Sequence, residues 1–326
     1  MKLPHFEIHF PESHEEALDL ANHFGARGRY LAGGTDLLVS LKMGAVSASH
    51  LIDISGIRGL SEIRDLSNGE LELGVNTPLH QVAGSKIIQE HAPALSQAAE
   101  VVGTTQIRNV ASLGGNLCQN TRCRYFNRTD DLAQILPLCL KRGGEVCHVV
   151  PGKNRCFATY QGDLAAALLA HDATLKVERK NESRVISIES LFTGDGKDPL
   201  ALEPGELITA IRIPESRKTK FSGYRKYRLR RGIDFPLVGV AVCRVPFSKA
   251  LPEGGFRVGL TGIGSQPIGL GFKETPSDKS LSEVIEKTIQ PVNNVSGSAW
   301  HRRIMAQQLA CDLSKELRAK MEAGIE

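Results

Sequence analysis

Leu31-Ala32-Gly33-Gly34-Thr35-Asp36-Leu37-Leu38 is the stretch on which the reading of this chain turns, and Ala111-Ser112-Leu113-Gly114-Gly115-Asn116 is its counterpart further along. In the first, a strand-like run from Arg29 to Ala32 breaks at two glycines and gives way to a helix start. Glycine reaches positive φ freely, so consecutive backbone N–H groups can converge there on one anion. Thr35 adds a hydroxyl, and the helix N-terminus adds its dipole. The second stretch follows the same logic. A single Gly-Gly pair is most often a plain turn. A diphosphate, however, needs donors from both sides, and two such loops can supply them. Neither G-x-G-x-x-G nor G-x-x-x-x-G-K-[ST] occurs. Gly259-Leu260-Thr261-Gly262-Ile263-Gly264 has its glycines in the wrong order and reads as a strand with a bulge. A dinucleotide bound here is therefore bound by another fold.

Working outward, the first 55 residues alternate helix and strand. Ser13-His14-Glu15-Glu16 is a capping box, and Ala17, Leu20, Ala21 and Phe24 follow as an apolar stripe at helical spacing. Leu51 to Ile54 is strand-like. From about Gly69 a larger α/β unit begins, with a strand at Glu70 to Gly74 and a helix start at Thr77-Pro78. Helices follow at Ala94 to Val102 and Gly162 to Ala170, then strands at Thr174 to Glu178 and Leu207 to Ile213. Residues 220–245 and 255–264 have strand character with glycine breaks. Two helices close the chain, the last with Met305, Leu309, Leu313 and Leu317 at intervals of four, a core-packing pattern. The expected units are 1–55, 56–216 and 217–326.

With 326 residues the chain can bury a substantial core. Its 41% hydrophobic and 23% charged residues are ordinary for a globular protein. A net charge of +4 gives no reason to propose nucleic acid or an anionic membrane as partner. No apolar run could span a bilayer, and acidic residues interrupt the N-terminus before a signal-type stretch develops; the expectation is a cytoplasmic protein with no membrane partner. The cysteines depart from this ordinary pattern. Five of seven (Cys118, Cys123, Cys139, Cys147, Cys156) fall within 39 residues, and in a reducing compartment such a cluster argues for metal before disulfide. Cys243 and Cys311 stand apart and read as small buried hydrophobes.

The AGGTDLL segment at 32–38, the QIRNVASLGGNL segment at 106–117 and the Lys226…Arg230…Asp234 spacing together resemble the FAD-binding medium subunits of the xanthine oxidase and carbon monoxide dehydrogenase family. The likeness covers essentially the whole chain, including the His301-Arg302-Arg303-Ile304-Met305 helix start. It implies an α+β fold: two α/β FAD-binding subdomains of the PCMH type, followed by a C-terminal antiparallel sheet with helices. It also implies that Ala32, Gly33, Gly34, Thr35, Asp36 and Leu37, with Ser112, Leu113, Gly114, Gly115 and Asn116, line the diphosphate and ribityl chain of FAD. By the same resemblance Asp163 contacts the adenosine portion, Leu207 and Ile208 lie near the adenine, and Lys226 lies close to the flavin. From the residues alone, Lys226 would be a solvated member of the basic run Arg225 to Arg231.

Asn116 and Asp163 are 47 positions apart, much farther than in ordinary family members; the insertion runs over about 118–158, and four of the five clustered cysteines lie beyond Arg122 in it. A cysteine-bearing insertion here resembles the β subunits of the 4-hydroxybenzoyl-CoA reductases, which hold a 4Fe–4S cluster beside FAD. A cubane takes four thiolates. Cys123, Cys139, Cys147 and Cys156 are the expected ligands, because Cys118 directly follows the second glycine loop, where the backbone is committed. Arg122, Arg124, Arg128, Lys141, Arg142, Lys153 and Arg155 would favour an anionic cluster. Zinc is the structural competitor, but its sites show paired C-x₂₋₄-C knuckles, and only Cys118 and Cys123 are close. His148 reads as a bystander beside Cys147.

The expected role is electron transfer, with the catalytic residues on another chain. The resemblance implies a large molybdopterin-binding subunit and a small 2Fe–2S subunit as partners. In the reductive case it implies a low-potential donor such as ferredoxin and dehydroxylation of an aryl-CoA. A hydroxylase of a purine, aldehyde or N-heterocycle is the alternative within the family. A zinc-stabilised interaction scaffold is the alternative from outside it.

Overall fold

Strand propensity at both ends of the chain and a helical middle resolve into three sheets in the computed structural model, which describes residues 2–129, 135, 137–230, 232–245 and 255–323. The first sheet contains β1 (Glu7–His9), β2 (Gly28–Leu31) and β3 (His50–Asp53) in the order β1-β3-β2, with both pairings parallel. Parallel neighbours need crossovers, and α1 (His14–Phe24) and α2 (Leu37–Lys42) provide them. Ser13 caps α1, its hydroxyl accepting from the Glu16 N–H at 3.1 Å. The Glu16 carboxylate takes the Glu12 N–H at 2.8 Å instead of the serine's own, so the reciprocal bond is shifted by one residue.

The second sheet contains β4 (Ile63–Asp65), β5 (Leu71–Gly74), β6 (Thr174–Arg179), β7 (Glu182–Ser187) and β8 (Leu207–Ile213) in the order β4-β5-β8-β6-β7, antiparallel throughout. The described residues between β5 and β6 include the helices α3 (Leu79–Gly84), α4 (Lys86–His91), α5 (Pro93–Glu100), α6 (Thr105–Val110), α7 (Leu113–Leu117) and α8 (Asp163–Ala170). The Thr77 cap expected for α3 is not made. Its hydroxyl donates back to the Gly74 carbonyl at 2.7 Å, and the helix begins after Pro78.

The third sheet, β12-β11-β10-β9, is antiparallel and built from β9 (Ser222–Tyr227), β10 (Val238–Val245), β11 (Gly255–Thr261) and β12 (Ile268–Phe272). Helices α9 (Asp278–Thr288) and α10 (Ala299–Glu322) pack on it, burying Leu281, Ile285, Leu313 and Leu317, with Met305 and Leu309 at the margin. Cys243 in β10 and Cys311 in α10 are buried in these cores.

All eight residues of α8 are buried, as a helix apolar on every side after its first residue, Asp163, must be. It packs on the third sheet, chiefly against β10 and β11, and against α5 and α7. A Cβ at Gly259 of β11 would sit 1.8 Å from the Ala166 carbonyl oxygen; the glycine is there to let helix and strand meet. Arg302, 1% exposed, ties α10 to the third sheet. Its Nη1 donates to the carbonyls of Leu237 and Gly262, both at 2.6 Å, and its Nη2 to Asn294 Oδ1 at 2.9 Å. Burial draws its pKa down to about 10. Among the described residues, no helix is long and apolar enough to cross a membrane.

Candidate functional site

A cleft of about 920 Å³ opens between the first two sheets, and both glycine stretches reach it. Ala32, Gly33, Gly34, Thr35, Asp36 and Leu37 line one side, with Ser112, Gly114 and Gly115 opposite. Leu207 and Ile208, at the start of β8, line it as well, beside Ile52, Ile54 and Leu202.

The two loops differ in what they offer. Among the described residues, the backbone N–H groups from Gly33 to Leu37 have no hydrogen-bond partner, while Gly34 turns through φ +68°. In the second loop the N–H of Leu113 is held by the Thr77 carbonyl (2.9 Å), that of Gly114 by Val75 (2.8 Å) and that of Asn116 by Ser112 (2.9 Å). The Ser112 hydroxyl takes the Gly115 N–H at 3.1 Å. The expectation of two N–H cradles is therefore corrected. The first loop presents five consecutive N–H groups without a partner, whereas in the second, among the described residues, only that of Ser112 is left; Gly114 lets the second loop lie against the Val75 turn.

Four of the expected residues lie off the cleft wall. Leu113 is buried in the main core. Asn116 turns its amide oxygen to the Leu164 N–H at the start of α8 (3.3 Å). Asp163 and Lys226 pair with each other: Lys226 Nζ lies 3.1 Å from the carboxylate, with the two side chains 4% and 3% exposed. The Tyr224 hydroxyl donates to Asp163 at 2.7 Å, and Lys226 also reaches the Val101 carbonyl at 3.2 Å. Burial raises the Asp163 pKa, opposed by Lys226 and Tyr224. Lys226 is thus no part of a solvated basic face, and Arg231, at the end of that run, lies outside the described residues.

Asn76 was not singled out by the sequence. It is buried in the cleft wall, its amide nitrogen bonded to the Ile54 carbonyl and its Oδ1 without a partner. Its only sequence signal is a polar residue between a fully buried strand end and Pro78.

Cys123, Cys139, Cys147 and Cys156 line a second, small cavity, with Tyr125, Phe126, Lys141, His148 and Ala158. Hydrogen bonds place three of them. The Asn127 side chain takes the Cys123 N–H (2.9 Å), and a tight turn bonds Leu140 to Val146 and Gly144 back to Cys139, both at 3.0 Å. The Asp195 carboxylate takes the Cys156 N–H at 3.1 Å, and the Ala158 N–H points at the Cys156 sulfur, 3.4 Å away. Burial pushes the Cys156 thiol up to about 11 and raises Cys123 as well. Cys118 faces the large cleft instead, and burial pushes its thiol up to about 12. His148 Nε2 lies 3.1 Å from the Pro137 carbonyl.

The basic stretch does not gather round the sulfurs as expected; only Lys141 lines their cavity. Arg122 pairs with Asp36 (3.1 Å) and lies over the Phe235 ring, Arg142 holds the carbonyls of Phe126, Met43 and Arg128, and Arg155 lies over Phe157. Phe126 and Lys141 line both cavities. Lys141 Nζ sits 4.4 Å from the Phe126 ring centroid and donates to Asn120 Oδ1 and Thr121 Oγ1, each at 2.5 Å.

The sequence profile described as "FAD binding domain in molybdopterin dehydrogenase" matches residues 4–216. The chain belongs to this family. It is 32% identical over 283 residues to the aldehyde oxidoreductase FAD-binding subunit PaoB of Escherichia coli, a match covering 82% of this chain and 83% of that protein. It is 25% identical over 316 residues to the carbon monoxide dehydrogenase medium chain of Hydrogenophaga pseudoflava, covering 94% of each. Among solved structures, a carbon monoxide dehydrogenase chain from Oligotropha carboxidovorans superposes with a TM-score of 0.75 at 23% identity, covering 98% of this chain and 99% of that one; this likeness concerns the fold.

As an FAD-binding subunit of this molybdopterin dehydrogenase family, the chain is part of an oxidoreductase, and a scaffold with no redox role is set aside. The cleft suits an FAD on its own terms. Five consecutive free N–H groups await an anion, the orphaned Asn76 oxygen awaits a donor, and the apolar wall at Leu207 and Ile208 can cover an aromatic ring.

Proposed function

We propose that this chain is the flavin and iron–sulfur subunit of a molybdenum hydroxylase complex, serving electron transfer between the molybdenum site of a partner subunit and an external partner. Gly33 to Leu37 would hold the FAD diphosphate, and Leu207 and Ile208 would cover the adenine end. Asp163 and Lys226 act from behind the wall, fixing α8 against the third sheet. Cys123, Cys139, Cys147 and Cys156 would hold a 4Fe–4S cluster. When bound, FAD supplies two-electron exchange and the cluster one-electron exchange. The expected partners are a large molybdopterin-binding subunit and a small 2Fe–2S subunit.

The carrying observation is the shared wall. Phe126 and Lys141 line both the cleft and the cysteine cavity, so groups held on either side would be neighbours. A cluster suits the cysteines better than zinc does. Four thiolates on one zinc lie ~3.8 Å apart, given Zn–S bonds of about 2.3 Å. Among the described residues, the one set of three His, Cys, Asp or Glu ligand atoms within 4.8 Å of one another lies elsewhere, so no three cysteine sulfurs converge that closely.

For the substrate of the complex, the 32% identity to an aldehyde oxidoreductase subunit favours oxidative hydroxylation of an aldehyde. Reductive dehydroxylation of an aryl-CoA, fed by a ferredoxin, is the second reading; the cysteine insertion alone favours it. Assaying the purified complex with an aromatic aldehyde and with an aryl-CoA separates the two. Serine at Cys139 and Cys147 together must abolish the cubane EPR signal of the dithionite-reduced complex and leave FAD bound; a signal that survives overturns the ligand assignment.

A further inference from the structure

Away from the cleft, the edge of the first sheet carries a second group of metal-ligating side chains. Alternate residues of a strand share a face, so Glu7 and His9 of β1 project together. The parallel register sets Glu7 opposite His50 of β3, which adds a third side chain to that face. The three donor atoms converge: His9 Nε2 lies 3.2 Å from His50 Nδ1, and Glu7 Oε2 lies 3.5 Å from His50 Nδ1 and 4.0 Å from His9 Nε2.

The rings are fixed in advance. On its other side His50 pairs with Gly28 of β2. Gly28 has no side chain, and a Cβ there would come 3.1 Å from that of Phe24. Phe24 uses this room to stack on His50, ring centroids 3.9 Å apart and planes 9° from parallel, and to touch His9 at 4.6 Å. The imidazoles are mostly covered, at 24% and 14% exposure, while the Glu7 side chain is 74% exposed and free to swing.

We propose that Glu7, His9 and His50 bind one divalent transition-metal ion of the zinc class. A tetrahedral ion with bonds of about 2.0–2.2 Å holds its donors ~3.3–3.6 Å apart. The imidazole nitrogens, 3.2 Å apart, come within about 0.1 Å of that spacing, and Glu7 closes the remainder by a rotamer change. Without metal, a single proton can be shared between the two facing nitrogens; the cation takes its place, and the adjacent carboxylate offsets part of its charge. Two imidazoles and a carboxylate select zinc, copper or nickel over magnesium or calcium. The fourth position is left for water. The ion clamps edge strand β1 to β3, in the sheet whose β2 runs into the first glycine loop.

The proposal is independent of the cysteine site, and its test keeps them apart. The FAD-loaded full chain is titrated with Co²⁺ and then with Zn²⁺, as wild type, His9→Gln, His50→Gln and Glu7→Gln. Wild type is expected to bind one equivalent of Co²⁺ with a tetrahedral ligand-field band and no thiolate-to-cobalt charge transfer. Zn²⁺ displaces it and raises Tm, since it binds only the folded state. Each histidine variant loses at least about tenfold in affinity with its FAD content unchanged, and Glu7→Gln, whose side chain is too exposed to disturb folding, weakens binding without abolishing it. Binding of equal strength in wild type and all three variants, a spectrum of thiolate type alone, or no saturable binding overturns the proposal.

Discussion

Replacing Gly33 by alanine tests whether the two glycine loops must touch to form the cleft. A Cβ on Gly33 would stand 1.8 Å from the Val110 carbonyl oxygen and 2.5 Å from its carbon, in the backbone that leads into the second loop. These are main-chain atoms, held by the Ala111 N–H bond to Ile107 (2.7 Å) and the Leu79 N–H bond to Ala111 (2.9 Å), so they cannot rotate away as a side chain would. Non-bonded atoms sit comfortably at ~3.5 Å, and the loops must therefore part by about 1.7 Å. Such overpacking costs about 1–3 kcal/mol. The same displacement moves the free N–H groups off a common anion, and each ~1.4 kcal/mol lost there is a factor of ten in affinity. Gly33→Ala is expected to bind FAD about 10- to 100-fold more weakly, measured by fluorescence titration of the deflavinated chain. Gly84→Ala, where the added methyl meets nothing within 4 Å, is the control. FAD affinity of Gly33→Ala within twofold of wild type would refute the reasoning.

Stability should fall on acidification in a window set by His171. Burial depresses its pKa from 6.5 to about 4, and its ring is held between the Arg217 carbonyl (2.8 Å) and the Ser222 hydroxyl (3.1 Å). A base with a depressed folded-state pKa contributes stability that is complete above 6.5 and lost as pH falls toward 4, roughly 3 kcal/mol in all; urea midpoints across that range should show this loss in wild type and not in His171→Gln. Arg302→Met should lower stability by about 2–4 kcal/mol, since two buried carbonyls and the half-buried Asn294 side chain lose their donor, and calorimetry should find Tm reduced by several degrees. Lys226→Met leaves the Asp163 carboxylate buried without its partner and should cost about 3–5 kcal/mol. In a double-mutant cycle with Asp163→Asn the combined loss should be well below the sum; strict additivity would deny the coupling.

Much of this was legible because local rules govern it. The broken strand at Gly33-Gly34, the helix from Asp163 to Ala170 that is apolar after its first residue and the four-residue spacing of the last helix each state their structure in a few consecutive residues. What escaped depends on partners distant in sequence. Nothing local says that the N–H groups after Ser112 are taken by Thr77 and Val75, or that Lys226 is drawn inside by Asp163, 63 positions earlier. The arginines of the insertion looked like a counter-charge for sulfur, yet most are used on carbonyls and rings that hold the loop in shape. Phe126 and Lys141 became meaningful only when the insertion folded against the cleft, and Asn76 only when its oxygen was left alone in the wall.

The claim at the centre is that one chain sets a flavin and a cubane on either side of one wall. Iron and acid-labile sulfide, counted per FAD in anaerobically purified complex, test it most directly when wild type is compared with Cys147→Ser and with Cys118→Ser. About four iron and four sulfide must disappear from Cys147→Ser with FAD retained, and none from Cys118→Ser. Equal iron in all three samples, or zinc in place of iron, would contradict it.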